Sequence, residues 1–446
     1  MQVTSALWGK LFGSPHKTEY RFDINGVTYS GNDIKGAPVI VKPLMDTPAI
    51  GRVCTGSLKF TIYPKAEIPK AAAVNAYCRL ISADGNSVSE WLSQGRYFIT
   101  SRTGKETITL SCLDLMIKTG TTYRDKSKFT EWPMPMADVV NEICAIIGVP
   151  LDSRTSISTG EAFVVNYPND DVLISEILGM IGVAHGGNWI ITEQGKLRLV
   201  VFASPQSPVQ DLGKTHKGFS TKGKKQTLSR VILTDSADND FTAGDDTGFI
   251  INAKCDYATQ EIANLLCAPG SSPVSNGEAF VLGAALKNGN LTVTDAKVKN
   301  GVLTLYSNSI LYGASYEPYS VDCAYLNPAI ELGDTISIKE KNGAIHSVVV
   351  WSVTMNCTVA CTCSLIASVK DETEDEYPYI SMQDLAISRT LKTNQSYFGN
   401  RITRSDGFVS ELLVNDKATA RLTANAALFS MQSTDEQGNW FFTNGR

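Results

Sequence analysis

The chain is poor in groups that carry chemistry. Only four histidines occur, His16, His185, His216 and His346, and none lies in an HExxH pair, which excludes a zinc-protease helix of that type. GxSxG is absent, and with it the nucleophile elbow of serine hydrolases. The stretch AHGGNW at 184–189 contains an HGG triplet, but without an elbow it reads as a helix end followed by a turn. Charge is also sparse, at 19% of residues with a net of −5. Lys222, Lys224 and Lys225 form one short basic cluster in a Gly-containing loop. Binding to a phosphate backbone needs a larger basic surface, so a solvated loop is expected there. No apolar run reaches the roughly 18 residues of a membrane-spanning helix. The apolar start, MQVTSALWGKLFGS, is broken at Gly9 and Lys10 and does not read as a signal peptide. Folding in a reducing cytoplasm, with few disulfides, is therefore expected.

Ten cysteines are present, most inside apolar patterns. In MNCTVACTCSLI, strand periodicity places Cys357, Val359, Cys361, Cys363 and Leu365 on one face. A zinc site would need a second cysteine pair or a nearby histidine, so a buried strand is the expected reading. DSADNDFTAGDD at 235–246 is rich in carboxylates. It lacks the glycine position and closing glutamate of an EF-hand loop and is expected as a solvated turn. No cofactor, metal or catalytic residue is assigned.

What is present is strand signal. A hydrophobic fraction of 43% supports ordinary cores, and the length corresponds to about three domains. An arm, residues 1–16, has a short helix with Ala6, Leu7, Leu11 and Phe12 on one face, stopped by Pro15. From 17 to 128, YRFDINGVTYSG alternates around Asn25-Gly26, a two-residue hairpin signal. GSLKFTIY, VNAYCRLI, GRYFIT and ETITLSCLDLMI continue the pattern, which predicts a small barrel or sandwich.

Residues 129–202 read as an α/β module. ADVVNEICAIIG is a helix ended by Gly148. A second helix is capped by Asn169 or Asp170, with Val172, Leu173, Ile177, Leu178 and Ile181 as its buried stripe. Gly179 and Gly182 leave room for a close neighbour, and NWIITEQGKLRLVVF folds back at Gln194-Gly195. Residues 203–226 have loop composition.

A second β-barrel is expected over 203–256 and 306–370, with a helix and a strand-rich insertion at 257–305. Its marker is LNPAIELGDTISI at 326–338. Pro328 cannot donate a ladder hydrogen bond, Gly333 can take positive φ, and Asp334 can bond its own backbone. Thr335–Ile338 then alternates as a half-buried strand, and HSVVVWSVTM and CTVACTCSLIAS add two longer ones. DETEDEYPY opens an acidic linker and helix, 371–400, with the helix over 381–397. Residues 401–446 are short alternating segments that cannot bury a core alone. Trp440, Phe441 and Phe442 are candidate interface residues there. The fold class is thus mainly β, with two tube-like β-barrels, an inserted α/β module and a thin C-terminal β segment.

These segments, in order, resemble the tail-hub proteins of long-tailed phages and prophages of Gram-positive bacteria. The likeness is carried by RFDINGVTYSGNDI, VCTGSLKFTIYP, WLSQGRYFIT, TLSCLDLMIKTGTTYR, WPMPMADVVNEICAIIGV, YPNDDVLISEILGMIGVAHGGNWIITEQGKLRLV, FTAGDDTG, LNPAIELGDTISI, EDEYPYISMQDL and FGNRITRSDG. Residues 268–305 stand out from it as an insertion, and a peptidase or cell-wall hydrolase domain is not expected after Arg446. The resemblance implies a structural, non-enzymatic virion protein, made in the host bacterial cytoplasm and placed in the tail tip or baseplate. It implies a homotrimer whose two barrels per chain match a six-fold tail tube, with the C-terminal segment intertwining as trimerisation segment and tip. Implied partners are the distal tail or tail tube protein, the tape measure protein and receptor-binding or other baseplate proteins. The host cell surface is met indirectly, and DNA passes through without specific binding. The same architecture would serve a phage-tail-like bacteriocin or a contractile injection system. Rival readings are a tail-associated cell-wall hydrolase and a receptor- or glycan-binding tip protein.

Overall fold

The computed structural model describes residues 1–45, 47–123, 132–166, 172–213, 215–268 and 310–368. It also describes short strand segments at 286–287 and 290–291 and six strands between 395 and 442. The chain is mainly β and divides into two units, 1–370 and 371–446.

The first unit is built on one twelve-stranded sheet. Its early strands are β1 (His16–Ile24), β2 (Val27–Ser30), β3 (Ile34–Pro43), β4 (Ser57–Ile62), β5 (Ala73–Ser82), β6 (Leu92–Thr103) and β7 (Ile108–Asp114). In β1 the alternation is strict. Thr18, Tyr20, Phe22 and Ile24 are buried, while Lys17, Glu19, Arg21 and Asp23 face the other way. The β1–β2 turn is the predicted pair, Asn25 at φ 46° and Gly26 at φ 82°, so both central residues take the positive φ that a type I′ turn requires.

The module between the sheet's two runs of strands follows its sequence closely. Helix α2 (Met136–Ile147; α1 is the arm helix, Ala6–Phe12) buries Val139, Val140, Ile143 and Ile147 and ends at Gly148 with φ 63°. Helix α3 (Ile174–Ala184) packs over the hairpin of β8 (Gly187–Ile191) and β9 (Leu197–Val201), which turns at Gly195. A methyl group added to Gly182 would lie 2.9 Å from the Gly187 carbonyl, and one added to Gly179 would lie 2.9 Å from the Gly51 carbonyl. Those contacts are the close neighbours that the glycines predict.

Beyond the module, β10 (Gln226–Thr234), β11 (Asp240–Gly244) and β12 (Phe249–Lys254) form a small sheet against helix α4 (Gln260–Cys267). Then come β13 (Tyr319–Tyr325), β14 (Thr335–Lys339), β15 (Ile345–Val349), β16 (Ser352–Asn356) and β17 (Thr362–Ala367). β13, β17 and β16 belong to the large sheet, in which β16 pairs antiparallel with β3 from Ser352↔Pro43 to Asn356↔Val39. Strands expected in two separate barrels thus share one hydrogen-bonded sheet. Its order is 216–217, β13, β17, β16, β3, β4, β7, β6, β5, β1, β2, with 220–221 also pairing with β13.

Several local expectations are corrected. The arm helix buries Trp8 and Leu11, whereas Leu7 is 40% exposed, because the Trp8 indole has a partner, Asn327, on the inner side. In α3, Val172 and Leu173 precede the helix and Ile174 opens the buried stripe; the predicted caps Asn169 and Asp170 lie outside the described residues. β14 is buried on both faces rather than half-buried. Its polar face is covered by a parallel partner at Gln210–Asp211, with the Ser337 hydroxyl donating to Asp211 at 2.7 Å and the Gln206 N–H to the Thr335 hydroxyl at 2.8 Å. HSVVVWSVTM is two strands, not one: the chain turns at Val350-Trp351 from the β14–β15 sheet into the large sheet. Residues 357–361 form a hairpin turn, so Val359 is 59% exposed while Cys357, Cys361 and Cys363 are buried. Residues 235–239 are a turn as predicted, but 240–244 is a strand, because FTAG pairs with β10.

In the second unit, strands at Gln395–Tyr397, Asn400–Thr403, Gly407–Val414, Lys417–Ala424, Phe429–Thr434 and Trp440–Phe442 form an antiparallel meander in chain order. Residues 395–397 are strand where a helix to 397 is predicted, since they pair with 400–402. The rest of that helix and most of the 268–305 insertion lie outside the described residues. Trp440, Phe441 and Phe442 occupy the last strand, with Trp440 opposite Thr434; their side chains lie outside what is described.

Candidate functional site

LNPAIELGDTISI forms the hub of the first unit's polar contacts. Tyr325 ends β13, and the chain makes two tight turns before β14 begins. The Ile330 N–H donates to the Asn327 carbonyl at 2.9 Å and the Asp334 N–H to that of Glu331 at 3.2 Å. Gly333 has φ 88°, and the Asp334 carboxylate accepts the Glu331 N–H at 2.8 Å. Gly333 thus has a positive φ, while the Asp334 carboxylate bonds the backbone of Glu331 rather than its own. Pro328 lies just past the end of β13, and its carbonyl accepts the Gln94 side-chain N–H at 3.1 Å.

Four parts of the unit converge on this turn. The arm contributes three bonds: the Trp8 indole N–H to Asn327 Oδ1 at 3.1 Å, the Gln2 N–H to the Ala329 carbonyl at 2.7 Å, and the Met1 amine to Asp334 at 2.6 Å. The early strands supply Gln94 and Lys42. The module supplies Arg154, Glu193 and Arg198. The late strands meet the turn through Val350, whose carbonyl accepts the Gly333 N–H at 2.9 Å.

Glu331 is the centre of charge and is 2% exposed. The Arg154 guanidinium meets both its oxygens, at 2.6 and 3.2 Å, and also holds Asp152. Arg198 stands 3.9 Å away. Burial alone would raise the Glu331 carboxyl, but the hydrogen bonds and charge of Arg154 and the Met1 amine bring it down to about 2. Deeper in, Lys42 Nζ meets the Glu193 carboxylate at 2.7 Å. Burial pulls the ammonium down, and the Glu193 charge outweighs it, so Lys42 is held above its usual range. Glu193 itself is pushed up by burial, partly offset by Lys42. A small cavity of ≈ 20 Å³ beside this pair is lined by Lys42, Gln94, Asp114 and Glu193, among others. That volume matches about one water molecule, not a substrate. Asp114, buried at its edge, is raised to about 7 by desolvation, although the Gly56 and Met116 N–H groups donate to it.

The chemistry of this junction is attachment. Its ionised groups face one another, and the cavity beside them is too small for a reacting molecule. Among the described residues, no three His, Cys, Asp or Glu side chains are arranged to hold a metal ion. None of the described helices is long and apolar enough to cross a membrane. His185 is a buried cap: its Nε2 accepts the Ser158 N–H at 2.9 Å, which leaves Nδ1 to donate to the Ile181 carbonyl at 2.8 Å. Burial lowers its pKa. Lys222, Lys224 and Lys225 are exposed, as a solvated loop requires.

A second convergence involves cysteines. Buried Cys357 and Cys361 lie near Cys78 of β5 and the Tyr20 hydroxyl of β1, with buried Cys363 beside them. Burial, chiefly, raises the Cys78 and Cys357 thiols, and none of the ten cysteines is in a disulfide. Sequence reasoning did not single out Glu331, Arg154, Lys42, Glu193 or Gln94. The one visible signal was an acid at 331 between apolar Ile330 and Leu332, inside a stretch otherwise read for its turn.

No protein-family model matches the chain, and no curated protein sequence is significantly similar to it. Among solved structures it is similar to the 43 kDa tail protein of prophage MuSo2 from Shewanella oneidensis, with 12% identity, 79% of this chain and 98% of that chain covered, and a TM-score of 0.44. It is similar to the tail protein from Neisseria meningitidis MC58 at 10% identity, 79% and 95% coverage and a TM-score of 0.43. It is also similar to prophage tail protein gp18 from Listeria monocytogenes EGD-e at 9% identity, 84% and 99% coverage and a TM-score of 0.38. At these identities and scores they are partial likenesses of shape.

Proposed function

We propose that this chain is a structural component of a phage-type tail, a homotrimeric hub at the tail tip or baseplate, with no catalytic role. The observation that carries this reading is the β3–β16 pairing, five residue pairs long. It joins early and late strands of the first unit in one sheet, and the Glu331 junction locks the same two runs through side chains. A hub that matches two tube positions per chain needs its two β-rich halves held at a fixed mutual angle. A shared sheet does that more firmly than a linker, because every ladder hydrogen bond resists the hinge. The ordered sequence segments that resemble tail hubs support the same reading. So does a buried polar system devoted to holding elements together. Three copies would close a cyclic ring between a tail tube and the receptor-binding or other baseplate proteins. The C-terminal meander would be completed by its counterparts, and the α/β module at 129–202 would decorate the outside.

Light scattering after size exclusion tests the proposal. The expected mass is three times the 48.3 kDa of one chain. A monomer at every concentration overturns the trimer. Clearing of purified cell wall by the protein overturns the non-enzymatic reading.

A further inference from the structure

The outward side of the early strands differs in charge from the rest of the protein. Lys17, Arg21, Lys35, Lys59, Arg79 and Arg96 alternate with the buried positions of β1, β3, β4, β5 and β6. On the same side those strands carry only two acids, Glu19 and Asp23. Arg79 pairs with Glu19 at 2.6 Å and Arg21 with Asp23 at 3.2 Å, which leaves Lys17, Lys35, Lys59 and Arg96 as the excess cations of this face, on a chain that is at −5 as a whole. The face is also aromatic. The Arg21 guanidinium lies 4.7 Å from both the Tyr77 and Trp91 rings, Arg79 lies 4.5 Å from Trp91, and Arg96 lies 5.8 Å from Phe98. Arginine with half-buried aromatics is the composition of a protein-binding surface.

The compensating charge sits elsewhere in the same chain. Asp235, Asp238, Asp240 and Asp256 cluster at one end of the β10–β12 sheet, around Thr234, which pairs with both Asp240 and Lys254. Asp238, Asp240 and Asp256 are exposed. The edges of the large sheet are poor alternatives for association. At one end β2 has four residues, and Lys65 Nζ covers the Thr28 carbonyl at 3.1 Å. At the other end stand two-residue strands at 216–217 and 220–221. Short, lysine-blunted edges resist strand addition, which leaves the faces.

We propose that the basic, aromatic face of β1, β5 and β6 docks a second copy of this chain, which presents the aspartate-bearing end of its β10–β12 sheet. The contact is head-to-tail: each copy offers its face to one neighbour and its aspartates to the other, the arrangement that closes a ring. The inference rests on the homotrimer reading and adds which surfaces meet. Opposite charge across the contact also orients the approach and excludes face-to-face pairing of two basic islands.

Charge reversal on the full chain, read as mass by light scattering, tests it. Lys17→Glu with Arg96→Glu changes the face, and Asp240→Lys with Asp256→Lys changes the aspartate end. All four positions are exposed, and thermal unfolding checks that each variant folds. Each double variant should weaken association at least about tenfold, and wild-type association should weaken as NaCl rises from about 50 to 500 mM. A chain with all four substitutions should regain association, because the reversed surfaces again attract. If wild type is trimeric and both double variants stay trimeric, this contact is wrong and the trimer stands. If both fail and the fourfold chain is not rescued, the face does not meet the aspartates of another copy. If wild type never associates, the trimer reading falls and the contact falls with it.

Discussion

Two clusters hold early and late strands of the first unit together, and they use opposite chemistry. At the 326–334 turn the link is ionic: Arg154 and the Met1 amine on Glu331 and Asp334, with Lys42 on Glu193 behind them. At the 357–363 hairpin the link is four buried thiols, three of them near Tyr20. An ion pair is directional and leaves a costly orphan when one partner is lost. A thiol cluster behaves as small apolar side chains, tolerant of shape and indifferent to charge. The junction thus specifies how the parts are oriented, whereas the thiols add packing.

The sharpest way to break the contrast is Lys42→Met, which strands the Glu193 carboxylate in a buried site. A loss of about 3–5 kcal/mol is expected in denaturant unfolding. Cys363→Ala, at the other cluster, should cost about 1 kcal/mol for the lost sulfur and its cavity. Equal losses at the two sites would end the distinction. Next in size is Gly182→Ala, whose new methyl meets the Gly187 carbonyl and the Trp189 ring. About 1–3 kcal/mol is expected from overpacking, seen as a lower Tm with the β8–β9 hairpin loosened in hydrogen exchange.

Acid should separate the clusters too. Glu331 is held at about 2, below its ordinary 4.5. Its stabilisation is therefore complete above about pH 4.5 and is lost as pH falls toward 2. Asp114 works in the other direction. Raised to about 7 from 3.8, it is favoured protonated in the fold, so stability declines as pH rises between those values. Glu331→Gln should flatten the acid limb and lower stability at neutral pH by about 1.5–3 kcal/mol, the range for a charged hydrogen bond. Cys363→Ala should leave that limb unchanged. The smallest effect is at the hairpin tip: Val359→Ser, at an exposed position, should move stability by no more than about 0.5 kcal/mol. A larger loss would mean that the tip is covered in the assembled protein.

Local rules read much of this from sequence, for reasons that are themselves local. Asn25-Gly26 had to be a turn, because few other pairs tolerate two positive φ angles. Gly148 had to end a helix, and Gly333 with Asp334 had to make the chain reverse. The alternation of β1 named its buried side residue by residue. Failures came where a neighbour distant in sequence changed the outcome. β14 looked half-exposed until Gln210–Asp211 covered its polar face. HSVVVWSVTM looked like one strand because nothing in its residues marks where it leaves one sheet for another. Leu7 looked buried, but the Trp8 indole found Asn327 instead.

The sequence by itself determined where strands, turns and helices lie, since those follow from the period of apolar residues and the backbone freedom of Gly, Asn and Pro. It also determined that nucleic-acid binding has no broad basic composition to rest on. Only the tertiary structure decided that the early and late strands form one sheet through β3 and β16. Only it decided that Glu331, in a stretch read for its turn, would gather Arg154, Met1 and Arg198. Strand pairing and buried ion pairs join residues up to hundreds of positions apart. Their energy depends on distance and desolvation, which no periodicity along the chain records.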